Sequence, residues 1–373
     1  MFFKFNLKRY LTLFYGANIL INTILNVEFS RHIVQWYYKN HRNLPWRATK
    51  EPYKIWLSEI ILQQTRVAQG LSYYESFITN FPNIESLALA EEQEVLKLWQ
   101  GLGYYSRARN LHYTAKHIHF DLKGEFPGNH KDLLKLKGVG DYTASAISSI
   151  AYEEAQAVVD GNVYRVLSRV FNIKTPINST KGNKEFRLLA QELLDENNAG
   201  DHNQALMEMG ATICTTKKPL CSDCVLEHMC LAKDKDLIAQ LPVKEKTLKV
   251  RNRYIEYYCI EHKGRLFLKK RTTKDIWQNL YDFPGLEATK EIHTDKSINL
   301  SDISKFLGVK INKVLNTDSF KHKLSHQNLH INICHLLSDQ EPKLDELVAV
   351  NFDEIDNYPV PKPIETFLNK VLN

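Results

Sequence analysis

The feature that most constrains this chain is a run of four cysteines within seventeen residues: Cys214, Cys221, Cys224 and Cys230, spaced C-x6-C-x2-C-x5-C. Thiolates are ligands that both iron–sulfur clusters and structural zinc prefer, so this segment is expected to fold around one metal centre. The other two cysteines, Cys259 and Cys334, stand alone. Six cysteines in 373 residues do not make a disulfide scaffold. Clustered thiols in a chain this long read as metal ligands in a reducing, cytoplasmic compartment.

The length allows two ordinary domains, and the hydrophobic period divides the chain accordingly. From Phe29 to about Leu231 apolar residues recur at three and four, as in Ile33, Val34, Trp36 and Tyr37, or Val163, Val166, Leu167 and Val170. That is the pattern of packed helices. After Tyr254 the period drops to two, in Arg265–Arg271 and in Leu329–Cys334, which predicts a sheet with a short helix or two. A charged, apolar-poor stretch holding Pro242 and several lysines lies between them. The expected organisation is a leader at 1–28, a helical domain at 29–231 with the metal loop at 214–230, a linker at 232–250, and an α/β domain at 251–373.

The leader has Lys4, Lys8 and Arg9 ahead of an apolar run, Leu11 to Leu25, broken by Thr12, Asn18, Asn22 and Thr23. It loosely resembles a signal peptide but lacks a small-residue cleavage site, and it is too short and polar for a membrane span. Export would place the thiol cluster in an oxidising space, so a translated leader or an upstream start codon ahead of the domain is the preferred reading, with no membrane partner. The formal net charge of +6 is compatible with a nucleic-acid partner without demonstrating one.

Three further features carry chemistry. Leu136-Lys-Gly-Val-Gly140 lies between two helical runs, Lys131–Leu136 and Tyr142–Ala151. Gly138 and Gly140 let the backbone turn tightly, so that amides at the start of the next helix can hold an anion such as a phosphate. Glycine also simply ends many helices. Glu59 lies in a helical stretch, Lys54 to Val67, sharing a face with Ile55, Trp56, Leu62 and Gln63. Burial there would raise its pKa and suit a general acid, whereas the bland alternative is a solvent-edge glutamate. Asp160 precedes Gly161-Asn162 and an apolar-periodic helix, so it is an N-cap candidate that the helix dipole would keep ionised.

In combination these motifs resemble the endonuclease III superfamily of DNA glycosylases. Leu136–Ile147 is similar to its helix-hairpin-helix element, and Val158–Val163 to its aspartate motif. Leu57-Ser-Glu-Ile-Ile-Leu-Gln-Gln-Thr65 and Gly101-Leu-Gly-Tyr-Tyr-Ser-Arg107 narrow the resemblance to MutY-type adenine DNA glycosylases. The chain departs from that pattern at Lys137, where proline is usual. The resemblance implies a helical helix-hairpin-helix domain with an iron–sulfur loop, followed by a Nudix-like domain. It places a [4Fe–4S] cluster on Cys214, Cys221, Cys224 and Cys230. The spacing agrees, because zinc sites usually pair two short knuckles and only Cys221–Cys224 forms one.

The resemblance also implies roles. Glu59 protonates a departing adenine at N7, Asp160 faces the anomeric carbon, and Asn162 and Tyr142 orient the pair. Bifunctional relatives carry lysine at the position of Tyr142, so the implied activity is monofunctional. Trp46, Arg47, Leu62 and Gln204 match an adenine pocket. Gln63, Gln64, Thr65 and Tyr104 match a minor-groove wedge that fills the space of the flipped base. Arg107 and Arg109 would suit phosphates or be merely solvated. Trp277–Gly285 is similar to the start of a Nudix-like domain that reads 8-oxoguanine, and Phe320–His326 to its recognition loop, with Leu324 in place of the usual phenylalanine beside Ser325 and His326. The implied partner is double-stranded DNA bearing adenine opposite 8-oxoguanine or guanine, bound by a monomer at the nucleoid.

Three rivals were weighed. A bifunctional glycosylase/lyase is disfavoured by Tyr142. A nucleotide pyrophosphohydrolase needs a dense acidic metal motif, yet the acids that directly follow Gly285, namely Glu287, Glu291 and Asp295, do not form one. A damage-binding protein with a dead site is disfavoured by Glu59 and Asp160. His322, His326 and His330 recur every fourth residue, but in a strand that spacing separates neighbours by roughly 13 Å, too far for one metal.

Overall fold

The computed structural model describes residues 17–245, 250–288, 300–324 and 326–372, with the backbone alone for 17–25. Ser325 therefore lies outside the described residues, as do Glu291 and Asp295. Backbone proximity divides the described chain into two compact units, one of residues 17–64 and 118–245, the other of 65–117 and 250–372. In chain order the helices are α1 (Ala17–Asn40), α2 (Pro52–Leu62), α3 (Val67–Asn80), α4 (Ile84–Leu89), α5 (Glu92–Leu98), α6 (Ser106–Lys116), α7 (His130–Leu133), α8 (Asp141–Tyr152), α9 (Gly161–Val170), α10 (Thr180–Leu193), α11 (Ala199–Thr212) and α12 (Leu231–Asp234).

The first unit is helical, as the period of three and four predicts. Helix α11 packs against α1, α8 and α9. Phe29 and Ile33 of α1, Val163 and Leu167 of α9, Phe186 of α10 and Met209 of α11 form one core cluster. Burying each such side chain is worth roughly 1.5–3 kcal/mol. The leader boundary at residue 28 falls inside α1, and Phe29 is the first core residue among its described side chains. Part of the expected linker is folded here too: α12 lies at its start, and the Ile177 amide donates to the Val243 carbonyl at 3.0 Å.

Helix α2 does not run to Val67 as its sequence suggests. It ends at Leu62, and Gln64 adopts a left-handed φ of 57°. Pro52 opens the helix, where its missing amide costs nothing. Eight of its eleven residues are buried, Glu59 among them, so it is a core helix rather than an amphipathic surface one.

The second unit joins α3–α6 to a mixed sheet. Its strands are β1 (Arg251–His262), β2 (Arg265–Lys270), β3 (Tyr281–Asp282), β4 (Gly285–Ala288), β5 (Lys313–Lys323), β6 (Gln327–Leu337) and β7 (Leu347–Asn351). The strand order is β3-β2-β1-β6-β5, with β4 also on β1 and β7 on β2. β1 and β6 run parallel, Tyr254 opposite His330, while β5 and β6 form an antiparallel hairpin. Helices α13 (Leu300–Leu307) and α14 (Lys362–Val371) complete this unit. Leu329, Ile331 and Ile333 are buried as the alternation predicts. His330 stacks on Tyr254 with ring centroids 4.7 Å apart, and His322 lies against Trp277. Among the described residues no helix is long and apolar enough to cross a membrane.

Candidate active site

Two carboxylates from distant parts of the chain converge in the first unit. Glu59 projects from the middle of α2 and is 8% exposed. Tyr142, the second residue of α8, donates its hydroxyl to Glu59 Oε2 at 2.7 Å. Burial raises the Glu59 pKa to about 7; the Tyr142 hydrogen bond pulls it down, the nearby charge of Asp160 pushes it up, and Arg47 pulls it down. Burial next to Glu59 and Asp160 also keeps the Tyr142 phenol protonated far above its ordinary range.

Asp160 caps α9. Its Oδ1 accepts from the amides of Asn162 at 2.8 Å and Val163 at 2.7 Å, and its Oδ2 from the Asn162 side chain at 2.7 Å. These bonds favour the ionised form, as expected for an N-cap, but burial outweighs them and raises the carboxyl above its ordinary value. Asn162 is fixed in turn, because its Oδ1 accepts from Arg165 at 2.8 Å. Arg165 donates further to the carbonyls of Gly210 at 2.5 Å and Cys214 at 2.6 Å.

Gly210 explains how α11 comes so close to this turn. A Cβ there would lie 2.6 Å from the Asn162 Cβ and 2.9 Å from the Asn162 carbonyl oxygen. Gly210→Ala is expected to cost about 1–3 kcal/mol by overpacking, read as a lower denaturant midpoint. An unchanged midpoint would show that the two backbones part freely.

The other expected site residues fall as follows. Trp46 and Arg47 occupy a short turn of 3₁₀ helix, Pro45–Arg47, with Trp46 buried. Leu62 ends α2, Gln63 donates to the Thr143 hydroxyl at 3.2 Å, and Gln64 is exposed. Gln204 lies half-buried on α11. Gly138 has a φ of 81°, a backbone that favours glycine. Gly140 has ordinary extended backbone as the N-cap of α8, is exposed, and a Cβ there would meet nothing within 4 Å. In the second unit, Thr65 precedes α3, and Tyr104 sits in a loop before α6 with a φ of 48° and 39% exposure. Arg107 and Arg109 do not simply project to solvent. Arg107 lies over the Trp99 ring at 4.9 Å and donates to the carbonyls of Leu102 and Gly103, and Arg109 donates to the Gln278 carbonyl at 2.8 Å. Leu324 and His326 flank the β5–β6 turn, where the Leu324 amide donates to the Gln327 carbonyl at 2.8 Å. Glu287, one of the acids weighed as a hydrolase ligand, is engaged by Arg253 at 2.6 Å.

Cys214, Cys221, Cys224 and Cys230 line one pocket with Val166, Met209 and Leu226. Burial and the neighbouring thiolates push Cys224 up to about 11 and raise Cys230 as well. Thiolates held together here call for the positive charge that a metal centre supplies. Among the described residues no three His, Cys, Asp or Glu side chains converge tightly enough to hold a single metal ion, and the four thiols surround the pocket instead. The buried Arg169 donates to Cys214 Sγ at 3.4 Å and to the carbonyls of Thr215 and Thr216, securing the loop.

Sequence reasoning missed Arg42, Arg165, Arg169 and Glu208. Arg165 follows Asn162 by three residues, one helical turn, and that spacing could have flagged it. Glu208 interrupts the apolar run Ala205–Met209 and was equally visible as a buried acid. Nothing local marks Arg42, whose partner is 166 residues away.

Comparison with known proteins agrees with this geometry. Residues 57–194 match the HhH-GPD superfamily of base excision DNA repair proteins, and residues 257–370 match the NUDIX domain. The chain is 38% identical over 305 residues to the adenine DNA glycosylase of Buchnera aphidicola subsp. Schizaphis graminum, covering 81% of this chain and 86% of that one. It is 44% identical over 216 residues to the human adenine DNA glycosylase, covering 56% and 40% of the two chains. A solved thermostable thymine-DNA glycosylase superposes with a TM-score of 0.52 at 30% identity, over 56% of this chain and 97% of that one. With a tyrosine-bonded buried glutamate near a capping aspartate, and a relative matched over most of both chains, the protein belongs to the adenine DNA glycosylases of the HhH-GPD base-excision repair superfamily.

Proposed function

We propose that this enzyme flips adenine from a duplex in which it faces 8-oxoguanine or guanine, and cleaves its N-glycosidic bond without a lyase step. The observation that carries this reading is the 2.7 Å hydrogen bond from Tyr142 to a buried Glu59 whose pKa lies at about 7. A carboxyl poised there is half protonated near neutrality and can donate to a leaving base. Asp160, ionised, faces the positive charge that develops on the sugar as the bond breaks. Adenine leaves carrying the proton from Glu59; water then adds at the anomeric carbon and gives up a proton to the Glu59 carboxylate, which restores the acid. Asn162 and Tyr142 hold the two carboxylates in register. Trp46, Arg47, Leu62 and Gln204 line the base pocket; Gln63, Gln64, Thr65 and Tyr104 take the place of the extruded nucleotide.

The remaining parts serve DNA. Amides at Gly138–Gly140 and the start of α8 receive a backbone phosphate. Leu324, Ser325 and His326 read the base opposite, because adenine itself is undamaged. Cys214, Cys221, Cys224 and Cys230 hold a [4Fe–4S] cluster, which fits four thiols standing around a pocket and ties the loop bearing Lys217 and Lys218 to the helical core. The protein works as a monomer on nucleoid DNA, its sequence domains being residues 29–231 and 251–373.

Tyr142 separates this reading from a lyase. A phenol engaged with Glu59 offers no amine for a Schiff base. Incubation with adenine-mispaired duplex and borohydride is expected to leave no stable protein–DNA adduct while free adenine accumulates. A high yield of trapped adduct would overturn it.

A further inference from the structure

Glu208 is used by none of the steps above, yet it sits behind the base pocket with a side chain fully shielded from solvent. It lies on α11 one turn beyond Gln204 and adjacent to Met207, whose sulfur approaches the Tyr142 hydroxyl at 3.6 Å. Its carboxylate gathers two arginines. Arg42 donates through Nε to Oε1 at 2.7 Å and through a terminal nitrogen to Oε2 at 2.6 Å, and its amide adds a bond at 3.0 Å. Arg47 donates to Oε2 at 2.6 Å, while its other terminal nitrogen donates to the Arg42 carbonyl at 3.0 Å. Bidentate guanidinium–carboxylate pairs of this kind are directional as well as strong. Burial opposes ionisation of Glu208, but the bonds from Arg42 and Arg47 override it and hold the carboxyl at about 2. Two cations and one anion leave a net positive charge beside the pocket, and the Arg47 share of it already acts on Glu59.

We propose that Glu208 is a positioning residue for excision: it clamps Arg42 and Arg47 in one geometry and sets how much of their positive charge is felt at Glu59. The proposal rests on Glu59 being the general acid. The charged and titratable groups that face Glu59 are Tyr142 from α8, Asp160 from the α9 N-terminus and Arg47 from the preceding turn. Those that face Glu208 are Arg42 and Arg47, with Tyr37 of α1 also in range, itself influenced by Asp201.

The test is the pH dependence of single-turnover adenine release by the full-length protein from a duplex carrying adenine opposite 8-oxoguanine. Glu208→Gln removes the compensating charge, so Glu59 should lose its proton more readily and the alkaline limb should move down by about one pH unit. Arg42→Gln leaves Glu208 to Arg47 alone, so the limb should move up. A purely structural role would lower rates at every pH without moving the limbs in opposite directions. Unmoved limbs, or limbs moving the same way, overturn the proposal. If Glu208→Gln does not fold, Arg42→Gln decides alone: a raised limb supports the proposal and an unmoved one overturns it. A wild-type profile without an alkaline limb, or one that persists in Glu59→Gln, instead removes the general-acid reading and this proposal with it.

Discussion

Glu59→Gln is expected to slow adenine release on the order of a thousandfold under single-turnover conditions, the usual weight of a well-placed general acid. Glutamine keeps the size of the side chain and can still accept the Tyr142 hydroxyl, so the loss reports the missing proton rather than a cavity. Its stability should move the other way. The folded protein binds the Glu59 proton more tightly than the unfolded chain does, because burial raises the pKa from 4.5 to about 7. The corresponding stabilisation is complete below about 4.5 and is lost as pH rises through about 7. A neutral glutamine has no such loss, so the variant should melt no lower than wild type, and higher at pH above 7, by at most about 3 kcal/mol. A variant that is inactive and also melts well below wild type at pH 8 would shift the explanation to misfolding.

Asp160→Asn is expected to lose on the order of a hundredfold to a thousandfold in the same assay, through removal of the anion that faces the developing sugar cation. Asparagine is as good an N-cap as aspartate. The α9 terminus should therefore hold, and the melting temperature should change by only a few degrees. The carboxylate's contribution also predicts an acidic limb: burial raises the Asp160 pKa, and protonation below it withdraws the charge. Asp160→Asn should abolish that limb along with most of the rate. Retention of a substantial rate with the acidic limb intact would assign that titration to another group.

Much of this site was legible in the chain because each part is written locally. Asp160 and Asn162 belong to one capping turn, and the four cysteines belong to one short loop that lines one pocket. Periodicity alone leaves Glu59 between a buried acid and a solvent-edge residue, and only the resemblance of its motif singles it out. The shift of hydrophobic period near Tyr254 marked the sheet for the same reason: alternation is a property of neighbours in sequence. What stayed hidden depends on distant partners. Glu208 acquires its meaning from Arg42 and Arg47, more than 160 positions earlier. Arg107 reads equally as a phosphate ligand or a solvated arginine in the sequence, which does not show its engagement with Trp99 and two loop carbonyls. The end of α2 was misplaced because Gln63-Gln64-Thr65 carries no glycine or proline, yet Gln64 turns left-handed. No local pattern marks the grouping of residues 65–117 with the C-terminal strands, which rests on contacts such as Tyr281 to Gln93, 188 positions apart.

The pairing of a proton-bearing Glu59 with an ionised Asp160 is tested most directly by the wild-type pH–rate profile for adenine release opposite 8-oxoguanine, followed in a single turnover. The predicted result is a bell whose alkaline side falls through pH about 7, the point at which Glu59 gives up its proton. A rate that stays level well into the alkaline range, in a protein still folded there, would contradict it.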